Sequence, residues 1–322
     1  MPDRYGSLAT GIAQLDRAVE SVFGAELTWY AEIDPDACKV LARLYPGVPN
    51  LGDLTAVDWA GVEPVDLIVA GIPCQPYSVA GKRKGWDDER AIWPHVADAV
   101  RVLRPHCLVL ENVPGFIRLG LPRVLGDLAE LGFDAEWGTL HASDVGACHR
   151  RERLFLVAYS DGEPLRDQSI SVPRRSGEAE CGGIGAGPAP NADGEGRASD
   201  ERLHGTSPRR SGDAPPPDAA QLGPVRSRRT RGRRTGPTDG SRFPWGRYQP
   251  AIDRHERAFG RPAPWPVLDG TRSLNGEFLA WMMDIPEGLL DGLSNTAKKR
   301  LCGNAVVARC AETALRLLME AS

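Results

Sequence analysis

No stretch of the chain approaches the roughly 18 uninterrupted apolar residues of a membrane span. The opening MPDRYGSLATG also has no long apolar centre of the kind a secretory signal carries. Both absences argue against a membrane partner and make the cytoplasm the expected compartment. Cys-x-x-Cys pairs are missing as well. The seven cysteines, at positions 38, 74, 107, 148, 181, 302 and 310, are odd in number and widely scattered. They carry no signature of a zinc site, a redox pair or a disulfide framework, so reduced thiols and no bound metal are expected. An overall positive charge is lacking too: the formal net charge of -4 excludes a chain that is a basic nucleic-acid coat throughout. Lysine is scarce, so the positive charge is almost all arginine, a bias that fits a GC-rich genome and carries no chemistry. No internal repeat is present; RRSG recurs at 174–177 and 209–212 but is too short to count.

What is present divides by texture. With 322 residues and 41% hydrophobic content, the chain can bury one large core and a small second one. Up to about Ser160, short apolar runs alternate with helical patterns. TWYAEI (28–33), DLIVA (66–70), CLVLE (107–111) and RLFLVA (153–158) read as buried strands. DPDACKVLARLYP (34–46) opens on an N-cap aspartate and a first-turn proline, and AIWPHVADAVRVLRP (91–105) and PRVLGDLAELG (122–132) space their apolar residues by three and four. Alternation of this kind implies an α/β fold: a mostly parallel sheet with helices on both faces, binding ligands beyond the carboxyl ends of its strands. From about 161 to 238 large apolar residues nearly vanish, and Gly, Pro, Ser and charge take over, so that a long flexible insert is expected. Within it, Arg226, Arg228, Arg229, Arg231, Arg233 and Arg234 stand together without an acid, a patch suited to phosphate backbone. Order is expected to resume near RFPWGRYQPAIDRHE (242–256), with a short helix over QPAIDRHERAF and an amphipathic helix in the tail GNAVVARCAETALRLLME.

Three clusters sit where such a sheet binds ligands. GIPCQPYS (71–78) holds Cys74 between two prolines just past a strand, in a loop made polar by Gln75, Tyr77 and Ser78. A free cysteine is most often a small buried hydrophobe; this one is placed as a nucleophile, which needs a positive or dipolar neighbour to ionise near neutral pH. ENVPGF (111–116) puts Glu111 at a strand end, where it is either a satisfied structural carboxylate or a partly desolvated acid able to donate a proton. HRRERLF (149–155) precedes a strand expected to begin at Leu154; its arginines are a solvated face or a clamp on phosphate and base.

Taken together and in this order, these stretches resemble the cytosine-5 DNA methyltransferases of bacterial or phage type, over most of the chain outside the insert. GIPCQPYS looks like that family's nucleophile loop and ENV like its glutamate motif. HRRERLFLVA is similar to its glutamine-x-arginine-x-arginine motif, with His149 in the glutamine's place. SLNGEFLAWMMDIPEG (273–288) resembles the motif closing the recognition domain, and LCGNAVV (301–307) the Gly-Asn motif that returns to the catalytic domain. EID (32–34) and LGDL (51–54) match the cofactor-ribose and adenine motifs. The resemblance implies a Rossmann-like catalytic domain over 1–160 and a small irregular target-recognition region over 161–290, with the insert at about 161–240. A segment over 291–322 would return to the catalytic domain. It implies Cys74 as the thiolate that adds to carbon 6 of a flipped cytosine, Glu111 as the acid at ring nitrogen 3, and Arg151 and Arg153 as groups steadying the base. It further implies S-adenosylmethionine held by Gly11, Glu32, Ile33, Asp53, Leu54, Pro73, Asn304 and Val306, and double-stranded DNA met by Gln75 and Ser78. A monomer is expected; no pattern points to a target sequence or to a companion restriction enzyme.

One motif departs. Where the family reads like Phe-x-Gly-x-Gly-Gly the chain has ATGIAQ, with Ala9 for the aromatic and Ala13 and Gln14 for two glycines. Side chains added at such a turn are expected to crowd or shift the cofactor. Two rivals stand beside the transferase. A cysteine-histidine hydrolase would use His95, His106 or His141 and leave Glu111 idle. A DNA-binding relative without methylation, or a transferase with an altered donor, would follow from a changed cofactor pocket.

Overall fold

Runs such as LIVA and CLVL have no polar side to give to water, so a sheet built from them must be covered on both faces. The computed structural model, which describes residues 2–72, 92–160, 243–268 and 271–321, has that architecture. Six strands, β1 (Arg4–Leu8), β2 (Glu26–Ala31), β3 (Leu67–Gly71), β4 (Cys107–Asn112), β5 (Phe133–His141) and β6 (Glu152–Ser160), form one sheet in the order β2-β1-β3-β4-β6-β5. Pairs β1–β2, β1–β3 and β3–β4 are parallel; β6 runs antiparallel to both β4 and β5.

The helices are α1 (Gln14–Phe23), α2 (Pro35–Leu44), α3 (Trp93–Leu103), α4 (Phe116–Leu119), α5 (Leu121–Glu130), α6 (Gln249–Phe259), α7 (Gly276–Met282), α8 (Asn295–Asn304) and α9 (Ala308–Ala321). Successive strand residues point to opposite faces, and two cores result. Leu67, Val69, Cys107, Val109, Phe155 and Val157 pack with α1 and α9; Ile68, Ala70, Leu108, Leu110, Leu154 and Leu156 pack with α3 and α5. A smaller cluster joins Cys148 to Trp245, Ile252, Phe278, Trp281 and Met282. At its edge His255 is wholly buried. Its Nδ1 accepts from the Cys148 N–H at 3.2 Å, so Nε2 carries the proton and donates to the Trp281 carbonyl at 2.9 Å. Burial holds this ring neutral, its pKa lowered to about 3.

Three expectations change. The last strand, read over 153–158 with its arginine cluster ahead of Leu154, runs over Glu152–Ser160, so that Arg153 is a strand residue. The tail helix is two helices: GN ends α8, Ala305 is extended (φ -67, ψ 157), and α9 starts at Ala308. Strands β1 and β5 and helices α1, α4, α7 and α8 are additions. β1 is disguised by Gly6 and Ser7, and β5 is a half-exposed edge strand whose charged residues break the apolar pattern. The expected insert, 161–240, lies outside the described residues.

Candidate active site

The cavity lies at the carboxyl ends of the parallel strands, where the chain leaves β1, β2, β3 and β4. The loop after β1 carries φ of 50 at Ala9, 60 at Gly11 and 58 at Ala13, a left-handed region that costs an alanine about 1–2 kcal/mol. The backbone keeps a glycine-like course although two glycine-like positions carry methyl groups. Ala13 is buried beside Tyr30 and Leu41 and does not crowd the cavity; Ala9 and Gln14 do line it. Gln14 is 2% exposed, and its Nε2 has no hydrogen-bond partner among the described residues.

After β2, the Glu32 carboxylate folds back onto the main chain. One oxygen accepts from the Gly11 N–H at 2.7 Å, the other from Ile33 at 2.9 Å and Asp34 at 2.7 Å. Burial raises its pKa, against the opposing pull of the Gly11 and Ile33 N–H groups and of Arg300. Asp34 then caps α2, accepting from the N–H of Asp36 and Ala37, and pairs with Arg300 of α8. Ile33 is left 70% exposed, an apolar surface on the cavity wall. Asp53 accepts from the Thr55 N–H and hydroxyl at 2.9 and 2.7 Å, bonds that lower its pKa.

These groups surround a cavity of about 430 Å³ that continues to Glu111, Arg153 and the turn at Asn304, Ala305 and Val306. Glu111 is the penultimate residue of β4, on the α1/α9 side of the sheet, opposite Gly71 of β3. The reversal of β6 matters here, because it brings that strand's beginning, not its end, to the cavity. Arg153 Nε thus reaches Glu111 Oε1 at 2.9 Å, with both side chains nearly buried. Burial raises the Glu111 pKa, while the charges of Arg153 and Arg151 and the Arg153 hydrogen bond work in the opposite direction.

The structure therefore gathers Gly11, Glu32, Ile33, Asp53, Leu54, Glu111, Arg153, Asn304 and Val306 on one cavity. Arg151 is directed elsewhere: its Nη2 donates to the carbonyls of Gly303 and Ala305. His149, in the glutamine's place, is buried with Nε2 on the Met282 carbonyl at 2.9 Å. Pro73, Cys74, Gln75, Ser78 and the arginines from Arg226 to Arg234 lie outside the described residues. Sequence reasoning missed Thr10, Thr55 and Leu301 as lining residues; their closeness to motif positions was the available signal. Among the described residues no group of three His, Cys, Asp or Glu is disposed to hold a metal, and no helix is long and apolar enough to cross a membrane.

A parallel sheet with one reversed strand, a turn closing on an acidic residue after the second strand, and a cavity across the strand ends define the methyltransferase fold. Solved structures agree: the S. pombe Dnmt2 methyltransferase superposes with a TM-score of 0.56 at 14% identity, covering 99% of this chain and 98% of that one. A DNMT2 mutant from Spodoptera frugiperda gives 0.54 at 15%, covering 98% and 99%. The chain belongs to the C-5 cytosine-specific DNA methylase family, whose model matches residues 4–184. It is similar to the Type II methyltransferase M.HgiBI of Herpetosiphon aurantiacus, 36% identical over 162 residues, which is 48% of this chain and 36% of that protein. It is also similar to M.NlaIV of Neisseria lactamica, 33% identical over 165 residues, 47% of this chain and 39% of that protein. The chain thus matches well under half the length of these curated relatives.

Proposed function

We propose that the protein is a DNA (cytosine-5-)-methyltransferase, taking its methyl group from S-adenosylmethionine and placing it on carbon 5 of a cytosine flipped out of duplex DNA. The observation that carries this reading is the single cavity joining the buried Glu111–Arg153 pair to the loops after β1 and β2. The residues fit the cofactor. Glu32 is aimed by three backbone N–H groups and suits ribose hydroxyls; exposed Ile33 suits an adenine face; and the orphaned Gln14 amide at the wall is a donor in want of an acceptor. Leu54, Asn304 and Val306 complete the wall, and Pro73 joins them by family resemblance. When bound, S-adenosylmethionine supplies an electrophilic methyl group.

The chain's own groups do the rest. The Cys74 thiolate adds to carbon 6 of the base, and Glu111 delivers its proton to ring nitrogen 3 as electrons move into the ring. Arg153 orients Glu111 and offsets charge gathering on the base. Once carbon 5 has taken the methyl group, loss of its proton to water expels the thiolate, and nitrogen 3 returns its proton to Glu111, which restores the ring. Gln75 and Ser78 meet the DNA beside Cys74, while the arginines between Arg226 and Arg234 hold phosphates. On this reading 1–160 is the catalytic domain, 161–290 the recognition region and 291–322 the returning segment. The protein acts as a cytoplasmic monomer in a restriction-modification setting.

The test is incubation with mixed-sequence duplex DNA and S-adenosylmethionine, followed by nucleoside mass spectrometry. 5-Methylcytosine is the expected product, and DNA carrying 5-fluorocytosine at the target should trap the wild type but not Cys74→Ser. A different methylated base, or none, overturns the reading.

A further inference from the structure

Arg151 stands just before β6 with φ 30, a left-handed value that persists in a non-glycine residue only where surrounding contacts impose it. Its side chain makes contacts on the far side of a sequence gap of more than 150 residues. Arg151 Nη2 donates to the Gly303 carbonyl at 2.7 Å and to the Ala305 carbonyl at 2.5 Å. The last carbonyls of a helix have no partner inside it, and a cation at that end also meets the negative pole of the helix dipole. Arg151 therefore closes α8 from outside, where extended Ala305 interrupts the chain before α9. The residues so held matter, because Asn304, Ala305 and Val306 line the cavity.

Arg153, two residues further on, pairs with Glu111 instead. The two arginines of one short motif thus take different partners along the cavity, Arg153 the acid and Arg151 the α8–α9 turn. We propose that Arg151 is a positioning residue for the cofactor wall, holding the α8–α9 turn in the shape that binds S-adenosylmethionine, and is not a clamp on the base. The identity of the ligand rests on the function proposed above; the hold on the turn does not. Arg151 also places positive charge within reach of Glu111, so the test must separate charge from fork. Lysine keeps the charge and loses the geometry that spans two carbonyls.

Wild type, Arg151→Lys and Arg151→Met are compared in two ways: amide hydrogen exchange over 303–307 in the ligand-free protein, and calorimetric binding of S-adenosylmethionine. Exchange over 303–307 should quicken in both variants while the strands keep their protection. The cofactor should bind about tenfold or more weakly to Arg151→Met and less severely so to Arg151→Lys, with DNA affinity unchanged. If Arg151→Met does not fold, Arg151→Lys carries the comparison. Unchanged exchange at 303–307 and unchanged cofactor affinity would overturn the proposal. So would lost methyl transfer in Arg151→Lys with normal cofactor binding, which would return Arg151 to the base. A wild type that does not bind S-adenosylmethionine sinks the functional reading, while the exchange data still decide the role of Arg151.

Discussion

Glu111 is held between opposing influences, burial raising its pKa and two arginines lowering it. In the proposed role of proton donor to ring nitrogen 3, it must be protonated before the thiolate adds. Methyl transfer should therefore fall on the alkaline side as Glu111 ionises. Arg153→Met, by removing the charge that holds the pKa down, should move that limb to higher pH in a single-turnover profile; a limb that stays in place would show that another group titrates. Glu111→Gln should slow transfer by about 10²–10⁴. Asp16, in the first turn of α1, is 1% exposed and has its pKa raised to about 7, chiefly by burial and then by the charges of Glu20 and Glu32, with the Ser7 hydroxyl opposing. Close by, Tyr5 and Tyr45 both donate to Glu20, each at 2.9 Å. A raised carboxylate pKa means that the folded state favours the protonated form. The stabilisation it contributes is complete below the unfolded value near 3.8 and is lost as pH rises through about 7. Asp16→Asn should then gain on wild type by about 2.5 kcal/mol between pH 5 and pH 8, read from melting temperatures across that range. An equal pH dependence in both proteins would refute the assignment.

At the scale of elements, β1 shows how a short strand is made by a residue with no side chain. A Cβ at Gly6 would stand 2.2 Å from the ring of Trp29, which lies across the β1 backbone from β2. The register between the two strands also shifts between Tyr5 and Gly6. Gly6→Ala must displace a fully buried indole, and should cost about 3 kcal/mol or more in urea unfolding. A loss under about 1 kcal/mol would mean that the ring can move aside. The reversed strand β6 has a different kind of consequence. Its antiparallel pairing with β4, with Glu111 opposite Phe155, carries the chain's Arg153 to the acid at the cavity. A parallel strand in the same slot would have brought its far end there.

For the whole molecule, the C-terminal segment completes what the N-terminal half leaves uncovered. α9 packs against α1, β5 and β6, so one of the two cores includes residues more than 300 positions apart. DNA affinity is a matter of the molecule's charge distribution rather than its net charge of -4. Replacing Arg226, Arg228, Arg229, Arg231, Arg233 and Arg234 by serine should weaken binding to all sequences nearly alike. The dependence of log affinity on log salt should become less steep by up to about 5. Loss of discrimination between sequences, with the salt dependence intact, would assign these arginines to base reading.

The buried strands β2, β3, β4 and β6 were legible because short apolar runs between helical patterns have little other use than the interior of a sheet, and α6 because aromatic residues return there and QPAIDRHERAF reads as a short helix. Glu111 and Arg153 were legible for a related reason, since they flank those runs and strand ends are where such a sheet binds; Glu32 and Asp53 were reached only through the resemblance of EID and LGDL to the family's cofactor motifs. Periodicity carries no information on direction, so the reversal of β6 and the meeting of Arg153 with Glu111 came from pairing across the sheet. The same limit applies to ATGIAQ and to Arg151. Whether an added methyl enters a cavity or a core depends on what packs behind it, and at Ala13 it is Tyr30 and Leu41. Arg151 looked like the twin of Arg153; carbonyls more than 150 residues away gave it a different partner. Local pattern sets which residues can make a strand or donate a proton, whereas the partner of a side chain is a long-range fact, fixed only when the chain has folded back on itself.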